Sequence, residues 1–202
     1  MNLNPSELKN TVRYRLLLIG LSFSLYLLMF ALTMLSPSAL MYEWVYLVFL
    51  PAGSKLICIL LFGLWGTMGD ALALFLMAIY FIPDGSLFAW TIYATVSSGA
   101  TLLSVRFFMR YFQIDANLEK LQYWHIPVLS LFSSLLHALV SQLAFLSIQP
   151  QINTGYVVRT LAMTAGDFLG TAVVVIVLIF TLRNSVRAQK LVNFIQSRIA
   201  NK

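Results

Sequence analysis

Long apolar stretches, separated by short polar segments, run along almost the whole chain. Six of them reach the length of about 20 residues that a membrane-spanning helix needs. They cover residues 16–35, 43–63, 66–82, 87–109, 127–148 and 156–182. Proline and glycine stand in most of the connections, as is typical of turns between helices. The pattern predicts an all-α fold, a polytopic integral membrane bundle of six transmembrane helices.

Two polar segments flank the predicted bundle. Residues 1–15 form a short N-terminal segment, and residues 183–202 carry apolar side chains at helical spacing with basic residues between them. This spacing predicts an amphipathic helix that lies on the inner leaflet or packs against a partner helix. The apolar positions are Ala188, Leu191, Val192, Ile195 and Ile199.

Composition supports membrane insertion. Hydrophobic residues make up 60% of the chain and charged residues 10%, and the mean hydropathy is +0.85. These values exclude an ordinary soluble domain. The formal net charge is +6, but the basic residues stand at the ends of apolar stretches, where they meet anionic lipid. We therefore expect a lipid bilayer and not nucleic acid as the partner.

The basic residues also predict an orientation, because Lys and Arg accumulate in cytoplasmic segments. Of the 13 Lys and Arg residues, all except Lys55 and Arg159 lie on one side if the N-terminus is cytoplasmic. The predicted topology has both termini in the cytoplasm.

Ionisable residues inside the predicted spans are the candidate functional groups. Asp70 and Asp167 occur in two similar pentads, Gly69–Ala73 and Gly166–Gly170, which suggest a repeat. Counting from the helix ends places Lys55, His137 and Asp167 near mid-depth. Asp70 then lies toward the cytoplasm. A charge left alone in the bilayer costs about 2.5–3.5 kcal/mol, so pairing of Lys55 with Asp70 or Asp167 is expected.

Each of these groups also has a purely structural interpretation. The acids and Lys55 can be ion pairs that lock the bundle without any ligand. Arg159 lies nearer the outer surface and can extend its side chain to the headgroups. His137, with serines at one-turn spacings, can be a hydrogen-bonded packing residue or a proton relay.

Proline and glycine mark predicted breaks and close contacts. Residues 51–55, with Pro51 and Gly53, interrupt the second span, and such breaks often border binding sites in transporters. Glycines at short spacings allow two helices to approach closely. The close-packing candidates are Gly66, Gly69, Gly166 and Gly170.

No enzyme signature occurs in the sequence. A phosphate-binding glycine loop, a His-Glu-x-x-His motif and a nucleophile elbow are all absent from the sequence. One cysteine, Cys58, and two separated histidines do not favour a metal site. We expect no catalysis, no cofactor and no metal.

Two elements resemble a known family. Residues 49–53, Phe-Leu-Pro-Ala-Gly, and residues 165–170, Ala-Gly-Asp-Phe-Leu-Gly, are similar to motifs of the bacterial membrane-associated sensor domains of the MASE type, specifically the first-described MASE family. The resemblance covers about residues 12–182. It implies an input module of the plasma membrane that precedes a histidine kinase or a cyclic-di-GMP domain. Here the sequence ends about 20 residues after the last span, so we expect a stand-alone module.

Three functions follow as hypotheses. The first is a sensor-like membrane module that detects a small ligand or a membrane state and signals to a separate cytoplasmic or membrane protein. The second is a transporter, or a substrate-binding membrane subunit, with its site at mid-depth. The third is a structural subunit of a membrane complex.

Overall fold

A computed structural model describes residues 5–35, 40–42, 45–81, 86–115, 117–148 and 155–184, with side chains for 11–35, 45–81, 86–115, 117–148 and 155–181. The predicted amphipathic helix after residue 184 lies outside the described residues. So do the first four residues of the N-terminal segment.

Six α-helices make up most of the described chain. α1 begins at Pro5, within the N-terminal segment that the sequence pattern placed before the first span. The elements are α1 Pro5–Met34, β1 Leu40–Tyr42, β2 Val45–Tyr46, α2 Leu50–Phe62, α3 Leu64–Phe81, α4 Leu87–Tyr111, α5 His125–Ile148 and α6 Tyr156–Asn184.

Five of these helices are long and apolar enough to cross a membrane: α1, α3, α4, α5 and α6. Their surfaces fit a bilayer, because large apolar side chains such as Leu72, Leu103 and Ile176 point outward while charged and hydroxyl side chains are buried. In water this distribution would be unfavourable. The prediction of a helical, multi-pass membrane protein is confirmed at this level.

The short helix α2 stands at the centre of the bundle and contacts all five other helices. Around it, α1 packs on α3, α3 on α4, α4 on α5, and α5 on α6. Consecutive helices alternate in direction. We call the end where α3 finishes and α4 begins the Phe81 end, and the opposite end, where α2 turns into α3, the Gly63 end.

The predicted continuous second span, 43–63, is wrong in its first part. Residues 45 and 46 form β2, which pairs antiparallel with β1, and the chain remains non-helical until Leu50. The helix starts there because Pro51 occupies its first turn, where a missing backbone N–H has no cost. The break therefore lies immediately before Pro51 and not within residues 51–55.

The non-helical residues before α2 lie against the middle of α6. The backbone N–H of Phe49 donates a hydrogen bond of 3.0 Å to the carbonyl oxygen of Gly166. A Cβ atom at Gly166 would overlap the carbonyl oxygen of Tyr46, and one at Gly170 would overlap that of Phe49. The two glycines thus provide a surface on which an extended backbone can lie.

Three other glycines lie at close helix contacts. A Cβ atom at Gly53 of α2 would stand 2.7 Å from Cβ of Val174 in α6. At Gly66 it would meet the backbone of α2 at Cys58, and at Gly69 it would meet that of α1 at Ile19. Small residues are what such contacts between membrane helices require.

Candidate functional site

Buried polar side chains from five helices meet inside the bundle. Asp167 and Asp70 are only 2% and 1% exposed, and Lys55 and His137 are 4% and 3% exposed. Lys55, His137 and Asp167 all lie within electrostatic range of Asp70. The structure therefore brings together four of the five ionisable residues that the sequence singled out.

A chain of short hydrogen bonds runs from Asp167 across the bundle. The Nδ1 atom of His137 lies 2.6 Å from Oδ2 of Asp167, and its Nε2 atom lies 2.7 Å from Oγ of Ser97. The Ser97 hydroxyl in turn lies 2.6 Å from that of Ser141. The chain connects α6, α5 and α4.

This chain has two self-consistent hydrogen-bond arrangements. With one proton on His137, Nδ1 donates to Asp167 and Nε2 accepts from Ser97, whose oxygen accepts from Ser141. With both nitrogens protonated, Nε2 donates to Ser97 and the two serine hydroxyls reverse. A proton gained by His137 can thus be accommodated without breaking any of these contacts.

Asp70 has a different environment. Its Oδ2 atom accepts a hydrogen bond of 2.5 Å from the hydroxyl of Ser98, while Oδ1 is buried without a hydrogen-bond partner in the described chain. Buried carboxylate oxygens normally have partners. Lys55, on the neighbouring helix α2, supplies the compensating charge at longer range.

The expected direct ion pair of Lys55 with Asp70 or Asp167 was wrong. Among the residues that the structure describes, no carboxylate oxygen lies within 4.0 Å of the Lys55 ammonium group; the buried pair is His137 with Asp167. The reason is that Ser98 and His137 already hydrogen-bond the two carboxylates, Asp70 and Asp167 respectively. These groups hydrogen-bond the acids at short range without a second full charge.

Lys55 borders a small polar cavity of about 10 Å³. Hydroxyl groups surround it, and two of them, on Thr101 and Ser130, are buried without a partner among the described residues. A cavity of this volume and polarity suits one water molecule. Such a water would hydrogen-bond the ammonium group and both hydroxyls.

A larger cavity of about 110 Å³ lies toward the Phe81 end, with Asp167 and His137 at its inner end. Six of its thirteen lining residues are Phe or Tyr, and no Lys or Arg lines it. The lining residues are Tyr26, Phe30, Val45, Tyr46, Phe49, Leu74, Met77, Ala78, Phe81, Tyr93, His137, Met163 and Asp167.

Five of the aromatic residues that line this cavity, Tyr26, Phe30, Tyr46, Phe49 and Phe81, form one connected set of rings. Phe30 is its centre, with ring centroids 6.4 Å from Tyr46, 6.3 Å from Phe49 and 5.6 Å from Phe81. Tyr26 meets Phe49 edge to face at 6.5 Å. These contacts hold the rings in place around the space, so the cavity is formed without a ligand.

Arg159 does not join the central cluster. It lies two helical turns from Asp167 on α6, is 9% exposed, and places its guanidinium group 5.9 Å from the centre of the Phe145 ring. The structure therefore does not support the alternative in which the side chain of Arg159 extends to the headgroups. Arg159 instead packs inside the bundle near the Phe81 end.

Sequence reasoning missed Ser97, Ser98 and the aromatic wall. The two adjacent serines are both fully buried and reach different acids, through His137 and directly. A pair of hydroxyl residues in the middle of an apolar helix was the available signal. The aromatic residues gave none, because aromatic side chains occur throughout the spans.

We expect the charges of Lys55 and Asp70 to be coupled. Lys55→Met and Asp70→Leu should each lower the free energy of unfolding in detergent by about 3 kcal/mol, because each leaves the other charge buried alone. The double variant should lose less than the sum, by more than about 1 kcal/mol.

The exposed pair Lys120 and Asp115, 3.5 Å apart, is the matched control for this cycle. Its corresponding cycle, Lys120→Met with Asp115→Leu, should give a coupling of about 0–1 kcal/mol. Equal coupling in both cycles would contradict a stabilising role for the buried charges.

Within the described ranges, no group of three or more His, Cys, Asp or Glu side chains could hold a metal ion, and Cys58 is buried. The arrangement can instead bind a small molecule against Asp167 and His137. Three comparisons found no similar protein: no family model, no curated protein and no solved structure matches the chain.

Proposed function

We propose that this chain is a sensor-like module of the bacterial inner membrane that binds a small ligand and passes the signal to another protein. The observation that carries the proposal is the preformed aromatic cavity with a buried carboxylate and imidazole at its inner end. In a bundle with a purely structural role, an open cavity next to the buried Asp167 carboxylate would bring no benefit.

The resemblance to MASE-type domains gains support from a contact. The two elements that carry it, residues 49–53 and 165–170, touch each other directly: Phe49 donates to Gly166 and packs on Gly170. Asp167 lies between these glycines and lines the cavity. The elements thus act as one unit in which ligand binding and helix packing share the same residues.

The signal leaves through α6. From Asp167 this helix continues to Asn184, a distance of about 25 Å. A ligand that displaces Phe49 or reorients Asp167 also alters the contact between α2 and α6. The Gly63 end, where α6 finishes, is therefore the output side.

The proposed topology has six passes with both termini in the cytoplasm. Helix α2 alone is about 20 Å long, and the non-helical residues 45–49, which bend at Leu47 and Val48 and lie against α6, continue this pass across a core of about 30 Å. Arg13, Arg15, Arg106 and Arg110 stand at the Gly63 end, which the positive-inside rule assigns to the cytoplasm.

Cysteine labelling tests this topology. In intact cells, a membrane-impermeant maleimide should label Leu87→Cys, at the Phe81 end, and should label Tyr123→Cys, at the Gly63 end, only after permeabilisation. Both parent residues are exposed, at 64% and 89%, while the native Cys58 is 3% exposed and should stay unlabelled. The reverse pattern would invert the topology.

Native mass spectrometry tests ligand binding. The wild-type protein should retain a small molecule that is lost in Leu74→Trp, because Leu74 lines the cavity and the larger ring fills it. Leu72→Trp, on the same helix but 51% exposed, is the control and should keep the molecule. Retention of the same mass by both variants would place the ligand elsewhere.

A transporter is the second candidate, and the broken second pass favours it. Short or interrupted helices next to a mid-depth site are typical of secondary transporters. Uptake into proteoliposomes separates the two functions, since a sensor moves no solute. Accumulation that Leu74→Trp abolishes would replace the sensor proposal.

A further inference from the structure

The residues that line the aromatic cavity determine which sign of charge its ligand can carry. Asp167 presents the carboxylate, and the residues that line the space include no Lys or Arg. An anionic ligand would meet a carboxylate and the negative faces of several rings. Anions are therefore excluded as ligands of this cavity.

The carboxylate of Asp167 can also accept a hydrogen bond from a ligand. His137 occupies Oδ2 of Asp167, and no described residue donates a hydrogen bond to Oδ1. Neither Lys55 nor Arg159 lines the aromatic cavity: Lys55 borders the small polar cavity on the other side of Asp167, and Arg159 packs on Phe145.

The aromatic residues of the cavity also favour a cationic ligand. Aromatic faces around a carboxylate are the arrangement that recognises ammonium groups, because the rings attract the charge and accept the alkyl groups around it. Four of the rings that line this cavity are those of Phe30, Tyr46, Phe49 and Tyr93. A neutral apolar ligand would fill the space and leave Oδ1 of Asp167 without a donor.

We propose that the cavity binds a small organic cation, an alkylated or primary ammonium compound, with its charged group between Asp167 and the ring of Phe30. The volume of about 110 Å³ limits the buried part to a group smaller than or similar to benzene. This inference rests on the proposed ligand-binding function and names its ligand class.

Choline and its uncharged isostere 3,3-dimethylbutan-1-ol are the probes. Binding to the purified protein is measured by titration calorimetry in nanodiscs of phosphatidylglycerol, which contain no ammonium headgroup. Choline should bind saturably, and the isostere at least about ten-fold more weakly, because it has the same shape without the charge. Phosphatidylethanolamine is then added to the nanodiscs. Competition would identify a lipid headgroup as the source of the ammonium group, and no competition a free solute.

A ring substitution provides the second arm. Phe30→Leu should weaken choline binding at least about five-fold and leave binding of the isostere unchanged, since it removes a π face but keeps an apolar side chain. Phe107→Leu, on α4 and 62% exposed, is the matched control and should change neither.

The outcomes separate this inference from the proposed function. Equal binding of choline and the isostere would overturn the ammonium preference and leave the cavity as a ligand site. Binding of neither would also overturn it. The mass spectrometry of the Leu74→Trp variant, which uses no added cation, decides the proposed function on its own.

Discussion

Asp167→Asn is expected to lower the affinity for choline at least about ten-fold while the protein still inserts and folds. The amide keeps an acceptor for the Nδ1–H of His137, so the hydrogen-bond chain survives, but the negative charge at the inner end of the cavity is lost. The same variant should alter signalling. In cells that express it, the activity of the partner protein should no longer change on addition of choline, as the proposed sensor function and ligand class together require.

Asp70→Asn is the matched control for this prediction. Asp70 is as deeply buried as Asp167, but it does not line the aromatic cavity and is hydrogen-bonded to Ser98 instead. Choline binding should change by less than about three-fold, the remaining effect coming from charge at a distance. Equal losses in the two variants would mean that total charge, and not contact with Asp167, determines affinity.

Gly170→Val is expected to prevent correct folding. The first side-chain atom would overlap the carbonyl oxygen of Phe49, and backbone on both sides cannot move aside as a flexible side chain can. Overpacking usually costs about 1–3 kcal/mol, and contact with backbone places this case at or above the upper end. The measurements are the yield of monodisperse protein in mild detergent and its melting temperature.

Gly99→Val distinguishes this steric effect from a general loss of glycine. Gly99 lies in the middle of α4, and a Cβ atom there would meet nothing within 4 Å. The variant should express and melt like the wild type. If both valine variants fail alike, the close contact of α6 with residues 46–49 is not needed for the fold.

The sequence predicted the helices because their signal is physical and local. A spanning helix must be apolar over most of its length, and five such helices are found near the positions that the pattern indicated. The sixth, α2, was predicted too long. Residues 45–49 are as apolar as a helix of this kind, and hydropathy does not distinguish a non-helical backbone covered by α6 from a helix facing lipid.

The site was predictable in part. Depth counted along the helices grouped Lys55, His137 and Asp167, and the structure brings them together around α2. The pairing was not predictable, since it depends on how the helices are rotated. If α5 were rotated about its axis so that His137 pointed away, Asp167 could pair with Lys55 instead. A single sequence does not determine this rotation.

The extended backbone of residues 45–49 has a consequence for biogenesis. Its peptide groups cannot be left in hydrocarbon without cover, and part of that cover is α6, which is synthesised more than a hundred residues later. In the proposed six-pass topology, this segment therefore cannot reach its final position as it leaves the translocon. It must remain near the membrane–water interface, or be shielded by the insertion machinery, until α6 has been inserted.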